Sequence, residues 1–525
     1  MSEQAANDWT KRFSARRLGA SATTWFFVWL LSAGSLWSML QPPFGVADET
    51  AHITKAVATA SLQLSGDTVV GDFGFQATEY SVPSAYEQQI GYISCYVGNV
   101  AVSAACLGEF PNGRERVTIA STAGHYPPTY YLLVGIPGLA FPGEAGIYLM
   151  RLISTLLFAS MTAWAFSIAR RRRSALCSVG VFAAVTPMSL AVAGAVNPHG
   201  LEIASAILFW VTSLSVFEDF HASRRVPREV IVALAVSSFV FATARPASFV
   251  WMLPTVVLAL LFSGAITTLR RLTSFPQGRF VSALLGGSIL LSVALHLKTG
   301  LGTKLGGGSE PGSDSIFANL EIAFERGDDY FRQMFGWFGW VEFYTPPFAF
   351  WSCILVLGLI LGMMLVDASV RQWIVTVAAL LTVWMLPFLL EGLRATGSGF
   401  GYQGRYTLAL AVGIPILGAF SIPRDPRRAQ LRNGTISVLA FTAFAVLVSI
   451  DFALRRYTVG LAGPHLWIRN PEWLPPGGLA LIALLGACAL VGASMTGICL
   501  FRPAPSDADA DETPSGSSTE SALAI

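Results

Sequence analysis

The sequence predicts an all-α polytopic membrane protein of about twelve transmembrane helices, with a large first extracytoplasmic loop carrying juxtamembrane helices. Three observations predict it. Of 525 residues, 53% are hydrophobic and only 13% charged, against roughly 25% charged in soluble domains, and mean hydropathy is +0.56. Apolar runs of about 20 residues recur, the length a helix rising ~1.5 Å per residue needs to cross a hydrocarbon core ~30 Å thick. Arginines concentrate in the short connections on one side of those runs. The net charge of +2 gives no ground for a nucleic-acid partner; the lipid bilayer is the partner this composition requires.

Residues 1–22 are expected in the cytoplasm, where Lys11, Arg12, Arg16 and Arg17 precede the first span at 23–41. That run exceeds the ~7–15 residues of a signal-peptide core and reads as an uncleaved anchor. Residues 42–144 form the large outer loop. Spans follow within 145–297, near 145–169, 175–194, 199–217, 229–243, 247–266 and 280–297. A second outer loop covers 298–346. The last spans, within 347–500, lie near 347–366, 372–391, 404–421, 434–454 and 476–500. The inner connections then hold Arg170 to Arg173, Arg224, Arg225 and Arg228, Arg270, Arg271 and Arg279, Arg371, and Arg424, Arg427, Arg428 and Arg432, as the positive-inside rule demands. The register depends on Pro127 to Phe141, which is apolar but too short to span. It reads as an interfacial helix, with Tyr126, Tyr130 and Tyr131 at headgroup depth; a short tilted span is the alternative. Residues 501–525 are polar and acidic and read as a disordered cytoplasmic tail.

Within the first loop, Asp48 to Leu64 has helical periodicity. Ile53, Val57, Ala60 and Leu64 mark one face; Asp48, His52, Lys55 and Thr59 mark another. Asp48 and His52, one turn apart, can hold a divalent metal or act as a base and its orienter. The plainer reading is that Asp48 favours a helix start. Cys95 and Cys106 share the exported loop and favour a disulfide, with free thiols as the alternative. Asn197, His199, Glu202, Arg245 and Arg405 fall at the outer ends of spans, and Glu342 follows the aromatic run FGWFGWV. Ionisable groups at membrane depth usually face a cavity or a partner, and the arginine fork suits lipid phosphate; each residue singly is also compatible with snorkelling to the interface. The glycine-rich start of the 298–346 loop suits a lid or an ordinary connector. No nucleotide-binding glycine pattern or HExxH motif stands out.

Six segments occur in order: QPPFGVADETAH, HYPPTYYLLVGIP, VNPHGLEIA, ARPASFVWMLP, FGWFGWVEFYTPP and YQGRYTLAL. On these the chain resembles, over most of residues 20–455, the bacterial membrane-protein family called domain of unknown function 2142. That family in turn looks like the GT-C superfamily of integral membrane glycosyltransferases. The resemblance implies a bacterial plasma-membrane enzyme with both termini cytoplasmic. It would transfer sugar from a polyprenyl-phosphate carrier to a cell-envelope glycan, lipid or protein. It also implies that Asp48 matches the superfamily's essential acidic residue, with Glu49 beside it. Pro127, Pro128, Tyr130 and Tyr131 match the interfacial-helix motif of lipid-linked sugar transferases. His52 would orient the base or share a metal with Asp48, while Lys55, Tyr130, Asn197, His199, Glu202, Arg245, Glu342 and Arg405 would bind substrate. Where many relatives carry a second acidic motif, this chain offers Asn197, His199 and Glu202, which puts a divalent cofactor in question. A transporter or lipid-carrier flippase and a non-catalytic assembly factor are the competing classes.

Overall fold

The computed structural model describes residues 21–70, 76–172, 175–298, 312–422 and 429–501. Lys11, Arg12, Arg16, Arg17, Arg173, the glycine-rich start of the second outer loop, Arg424, Arg427, Arg428 and the acidic tail lie outside the described residues. Within them the chain is a multi-pass helical membrane protein. Eight helices are long and apolar enough to cross a bilayer: Ala22–Leu40, Glu144–Arg171, Pro198–His221, Pro276–Lys298, Pro347–Met364, Val370–Thr396, Leu431–Thr458 and Gly478–Leu500.

The remaining expected spans differ in continuity, and proline and glycine explain most of the difference. The 175–194 segment is two helices, Ala175–Ala183 and Pro187–Ala193. Pro187 has no N–H to continue the first helix, and Thr186 caps the second by accepting from Ser189 N. The 404–421 segment starts as a 3-10 turn at Gly404–Thr407 and continues as Leu408–Ala411 and Gly413–Phe420. Arg228–Ala244 has 17 residues. Phe249–Ser263 ends at Gly264, whose φ of +98° turns the chain into Ala265–Ser274 at 105°.

Pro198–His221 is the central helix, buried along nearly its whole length. Ala22–Leu40 packs against Glu144–Arg172 and Gly478–Leu500. Gly492 permits the second contact, because a Cβ there would lie 2.7 Å from the backbone nitrogen of Trp29. Trp29 stacks on Phe182 with centroids 4.2 Å apart. Leu484, Leu490 and Val491 point outward on Gly478–Leu500, as befits a face against lipid.

The first loop is more ordered than its sequence suggests. Helix Glu49–Ala60 lies against Pro128–Val134 and Ile136–Ala140. These two short helices, broken at Gly135, occupy the segment expected to be a single interfacial helix. At seven and five residues neither spans a bilayer. Tyr130 and Tyr131 are buried inward, while Leu132, Leu133 and Ile136 are exposed. A small antiparallel sheet of Thr68–Val70, Gln76–Pro83 and Arg116–Ser121, in that order, covers the loop helices. Cys95 and Cys106 are joined by a disulfide, their Cα atoms 6.1 Å apart. A two-stranded hairpin, Trp337–Phe338 with Phe343–Tyr344, contains most of the aromatic run.

Candidate functional site

Four helix ends meet beside the loop that follows the first span: the start of Glu49–Ala60, the start of Pro198–His221, the end of Arg228–Ala244 and the 3-10 turn Gly404–Thr407. Asp48 lies just before the first of these, with φ +68° and no capping hydrogen bond from its side chain. That geometry rejects the helix-cap reading. The carboxylate turns instead to Arg405, whose Nη2 lies 2.6 Å from Asp48 Oδ2. Asp48 is 49% exposed and Arg405 5%, so a buried guanidinium presents a carboxylate at the surface. A non-glycine residue held at positive φ is a strained feature of the kind that collects at functional sites.

Behind this pair, His199 Nε2 faces the carbonyl of Arg405 at 2.8 Å, and His199 Nδ1 faces Glu202 Oε2 at 2.8 Å. Arg245 Nη1 reaches the same Glu202 oxygen at 3.2 Å, and Ser248 Oγ donates to the other at 2.7 Å. The Arg245 guanidinium lies 4.7 Å from the centroid of the Tyr406 ring and that of Arg405 5.7 Å from it, close enough for cation–π attraction. Two arginines therefore flank one aromatic ring. Glu202 anchors one and Asp48 engages the other. Arg405 Nε is buried without a hydrogen-bond partner among the described residues, and a donor left unsatisfied costs about 1–3 kcal/mol.

His52 closes the cluster from the Glu49–Ala60 helix. Its Nδ1 lies 2.8 Å from the Tyr131 hydroxyl and its ring meets Tyr126 edge-on. Burial holds the His52 imidazole down at about 3, Asp48 pulling upward and Arg245, Arg405 and His125 pushing further down. Burial likewise takes His125 down to about 4. Both folded values lie below the ordinary imidazole value, so protons bind the unfolded chain more readily. The associated stability is present above about pH 6.5 and is lost as pH falls toward the folded values. Melting temperature is expected to drop between about pH 7 and about pH 5, less steeply in His52→Gln. An identical slope in wild type and variant would contradict a buried neutral His52.

The other candidate residues go elsewhere. Glu49 is fully buried and forms a two-point ion pair with Arg151, Oε1 at 2.7 Å from Nε and Oε2 at 2.5 Å from Nη2. It also accepts from Val196 N. It joins helices rather than facing the cluster, and its candidate catalytic role is set aside. Lys55 Nζ donates to the Tyr80 hydroxyl at 2.7 Å, tying its helix to the sheet; burial brings its ammonium down to about 8. The Tyr130 hydroxyl pairs with Ser154 Oγ at 2.6 Å. Asn197 caps the central helix, accepting from His199 N. Glu342 pairs with Arg456 at 2.9 Å, and Arg456 also donates to Tyr96 O and Val102 O, docking the disulfide loop. Lys55, Tyr130 and Glu342 are thereby engaged in structural contacts, and Asn197 bears on the site through His199. Asp48 is engaged by Arg405 and His52 by Tyr131. Among the described residues no group of three or more His, Cys, Asp or Glu side chains is arranged to hold a metal ion. Sequence reasoning missed Tyr406 and Ser248, although Tyr406 adjoins Arg405 in a quoted motif.

A cavity of about 400 Å³ lies nearby within the bundle, lined by Thr186, Phe335, Cys353, Trp384, Leu408 and Val412 among others. Leu408 is three residues from Arg405. The lining is almost wholly apolar.

The model of a family described as predicted membrane protein, DUF2142, matches residues 31–414. Among solved structures, the crystal structure of ArnT from Cupriavidus metallidurans bound to undecaprenyl phosphate aligns at 14% identity. It covers 94% of this chain and 77% of that one, with a TM-score of 0.39. Its apo state aligns at 13% identity over the same shares, with a TM-score of 0.34. No curated protein matches the chain.

Proposed function

The chain belongs to the DUF2142 family of predicted membrane proteins, and from that premise we propose that it is a GT-C-like glycosyltransferase. It moves a sugar from a polyprenyl-phosphate carrier to a hydroxyl of a cell-envelope glycan, lipid or protein at the outer face of the bacterial plasma membrane. The observation that carries this reading is Asp48. Its half-exposed carboxylate is released from capping and held by Arg405 beside a second arginine.

The chemistry follows from those positions. Asp48 accepts the proton of the acceptor hydroxyl as its oxygen bonds to the anomeric carbon. The bond from that carbon to the phosphate oxygen breaks, and the polyprenyl phosphate departs with the electron pair. Arg245 and Arg405 stabilise the added negative charge, and the unsatisfied Nε of Arg405 gains an acceptor. The apolar cavity starting at Leu408 suits an isoprenoid segment. His199 and Glu202 orient the arginines and leave the base role to Asp48.

The outer placement rests on charge. Arg224, Arg225 and Arg228 lie at the opposite ends of Pro198–His221 and Arg228–Ala244, Arg271 and Arg371 bind helix-end carbonyls there, and such residues face the cytoplasm. A cysteine placed at Gly108 is expected to react with an impermeant thiol reagent in intact cells and one placed at Arg225 to be protected; the reverse pattern would put the site inside.

The functional test is release of polyprenyl phosphate by the reconstituted protein from a panel of polyprenyl-phosphate sugars. Release with at least one donor, weakened in Arg245→Gln, supports the reading. Failure of the wild type to bind any polyprenyl phosphate would refute it.

A further inference from the structure

The end of the molecule opposite the Asp48 cluster has a construction of its own. Pro198–His221 and Arg228–Ala244, of 24 and 17 residues, separate the two ends by roughly 25–36 Å at ~1.5 Å per residue. At this far end Arg271 Nη1 donates to the carbonyls of Phe220 and His221, and Arg371 Nε donates to the carbonyl of Phe262. Two arginines thus satisfy the open carbonyls of two helix C-termini. Gln277 exchanges hydrogen bonds with the backbone of Val226, bringing the 222–228 turn against the start of Pro276–Lys298.

Helix Ala265–Ser274 lies between them, turned 105° from the preceding span. Thr268 and Leu272 form its buried face. The opposite face carries Ile266, 71% exposed, Leu269, 48% exposed, and Arg270. An apolar stripe next to arginine on a helix turned away from the spans is the pattern of a segment lying in the bilayer interface. Phe275 and Phe280 continue the exposed apolar strip.

The charge is one-sided. Glu229 is the only acidic residue between positions 222 and 298, and it pairs with Arg171. Arg224 pairs with Asp219. Arg225, Arg228 and Arg270 are exposed and make no ion pair among the described residues. Three exposed guanidinium groups with no ion pair among the described residues therefore lie at the same end of the molecule as a helix whose free face carries Ile266 and Leu269.

We propose that this surface is a binding site for an anionic phospholipid of the surrounding bilayer. Arg225, Arg228 and Arg270 take the headgroup phosphate, and Ile266 and Leu269 lie against the acyl chains. The apolar strip selects a lipid over a free anion, and the positive charge of the three arginines selects a headgroup with net negative charge. The site is independent of the transferase reading, since none of its residues belongs to the Asp48 cluster.

The test titrates delipidated full-length protein in neutral detergent with phosphatidylglycerol or phosphatidylcholine and counts bound lipid by native mass spectrometry. Wild type is expected to prefer phosphatidylglycerol. Each arginine removed weakens that preference by about fivefold, and the triple change R225Q/R228Q/R270Q by roughly a hundredfold. The corresponding lysine variant keeps most of the preference. If the triple variant fails to fold, Arg270→Gln alone decides, because that side chain is exposed and makes no hydrogen bond or ion pair among the described residues. Equal binding of the two lipids by wild type, or an unchanged preference in the glutamine variants, overturns the proposal. So does displacement of phosphatidylglycerol by inorganic phosphate at matched concentration.

Discussion

Asp48→Asn is expected to lower sugar transfer by roughly 10²–10⁴-fold, the range that a positioned general base contributes, while the protein melts close to the wild-type temperature. The structure supplies both halves of that expectation. Asparagine keeps the shape of the side chain and an oxygen for Arg405 Nη2 but cannot take a proton. The substitution forfeits no helix cap, because Asp48 makes none. The ion pair it weakens is half-exposed on the Asp48 side, where solvent screens the charge, and the asparagine oxygen still accepts from the buried Arg405. The measurement is initial rate of polyprenyl phosphate release at matched protein, with melting followed in parallel. A variant that turns over at the wild-type rate removes Asp48 from the mechanism. A variant that fails to fold shifts the question to Asp48→Ser, which lacks the base and carries less bulk.

Glu49→Gln is expected to behave in the opposite way, despite being the adjacent acidic residue. Glu49 and Arg151 are both fully buried and joined through two nitrogen–oxygen contacts. Arg151 also donates to the carbonyls of Ser38, Gln41 and Pro42, so it ties off the end of the first span and the turn leading to Asp48. Removing one member of a buried pair strands the other charge in a medium that solvates it poorly, at about 3–5 kcal/mol. Lower yield and a clearly depressed melting temperature should follow, with near wild-type turnover in the fraction that folds. Arg151→Met should be worse, because three carbonyls lose their donor along with Glu49. A Glu49→Gln protein that melts normally but does not turn over would return Glu49 to the catalytic machinery.

The contrast between these neighbours shows how far the sequence reaches. Asp48 and His52 were legible as candidates from their spacing one turn apart in the amphipathic Asp48 to Leu64 segment, and His199, Glu202, Arg245 and Arg405 as ionisable groups at the outer ends of spans. The structure brings all six into one cluster. Glu49 and Lys55 were candidates by adjacency and helical periodicity, and neither criterion says which face is buried against what. Glu49 met Arg151, 102 positions later, and Lys55 met Tyr80. Glu342 was grouped with the site by its presumed depth, yet Arg456 draws it toward the disulfide loop. Tyr406 escaped notice because a tyrosine beside an arginine is unremarkable until a second guanidinium, Arg245, arrives over its ring.

The sequence by itself determined that this chain lives in a bilayer, that its spans are helical, and that a large loop follows the first of them. These properties depend on composition, run length and charge placement, all additive along the chain. It also marked where proline and glycine stand, but not that Pro187 and Gly264 would turn expected spans into broken or bent ones. That outcome depends on whether neighbouring helices and caps such as Thr186 satisfy the freed backbone groups. Only the tertiary structure decided which of two adjacent carboxylates is presented at the surface and which is locked inside. Asp48 stands before the helix at positive φ and Glu49 is its first residue, so the two point in different directions, and their partners lie more than a hundred residues away in sequence. The same packing brought the 222–228 turn and helix Ala265–Ser274, which carry Arg225, Arg228 and Arg270, to one end of the molecule.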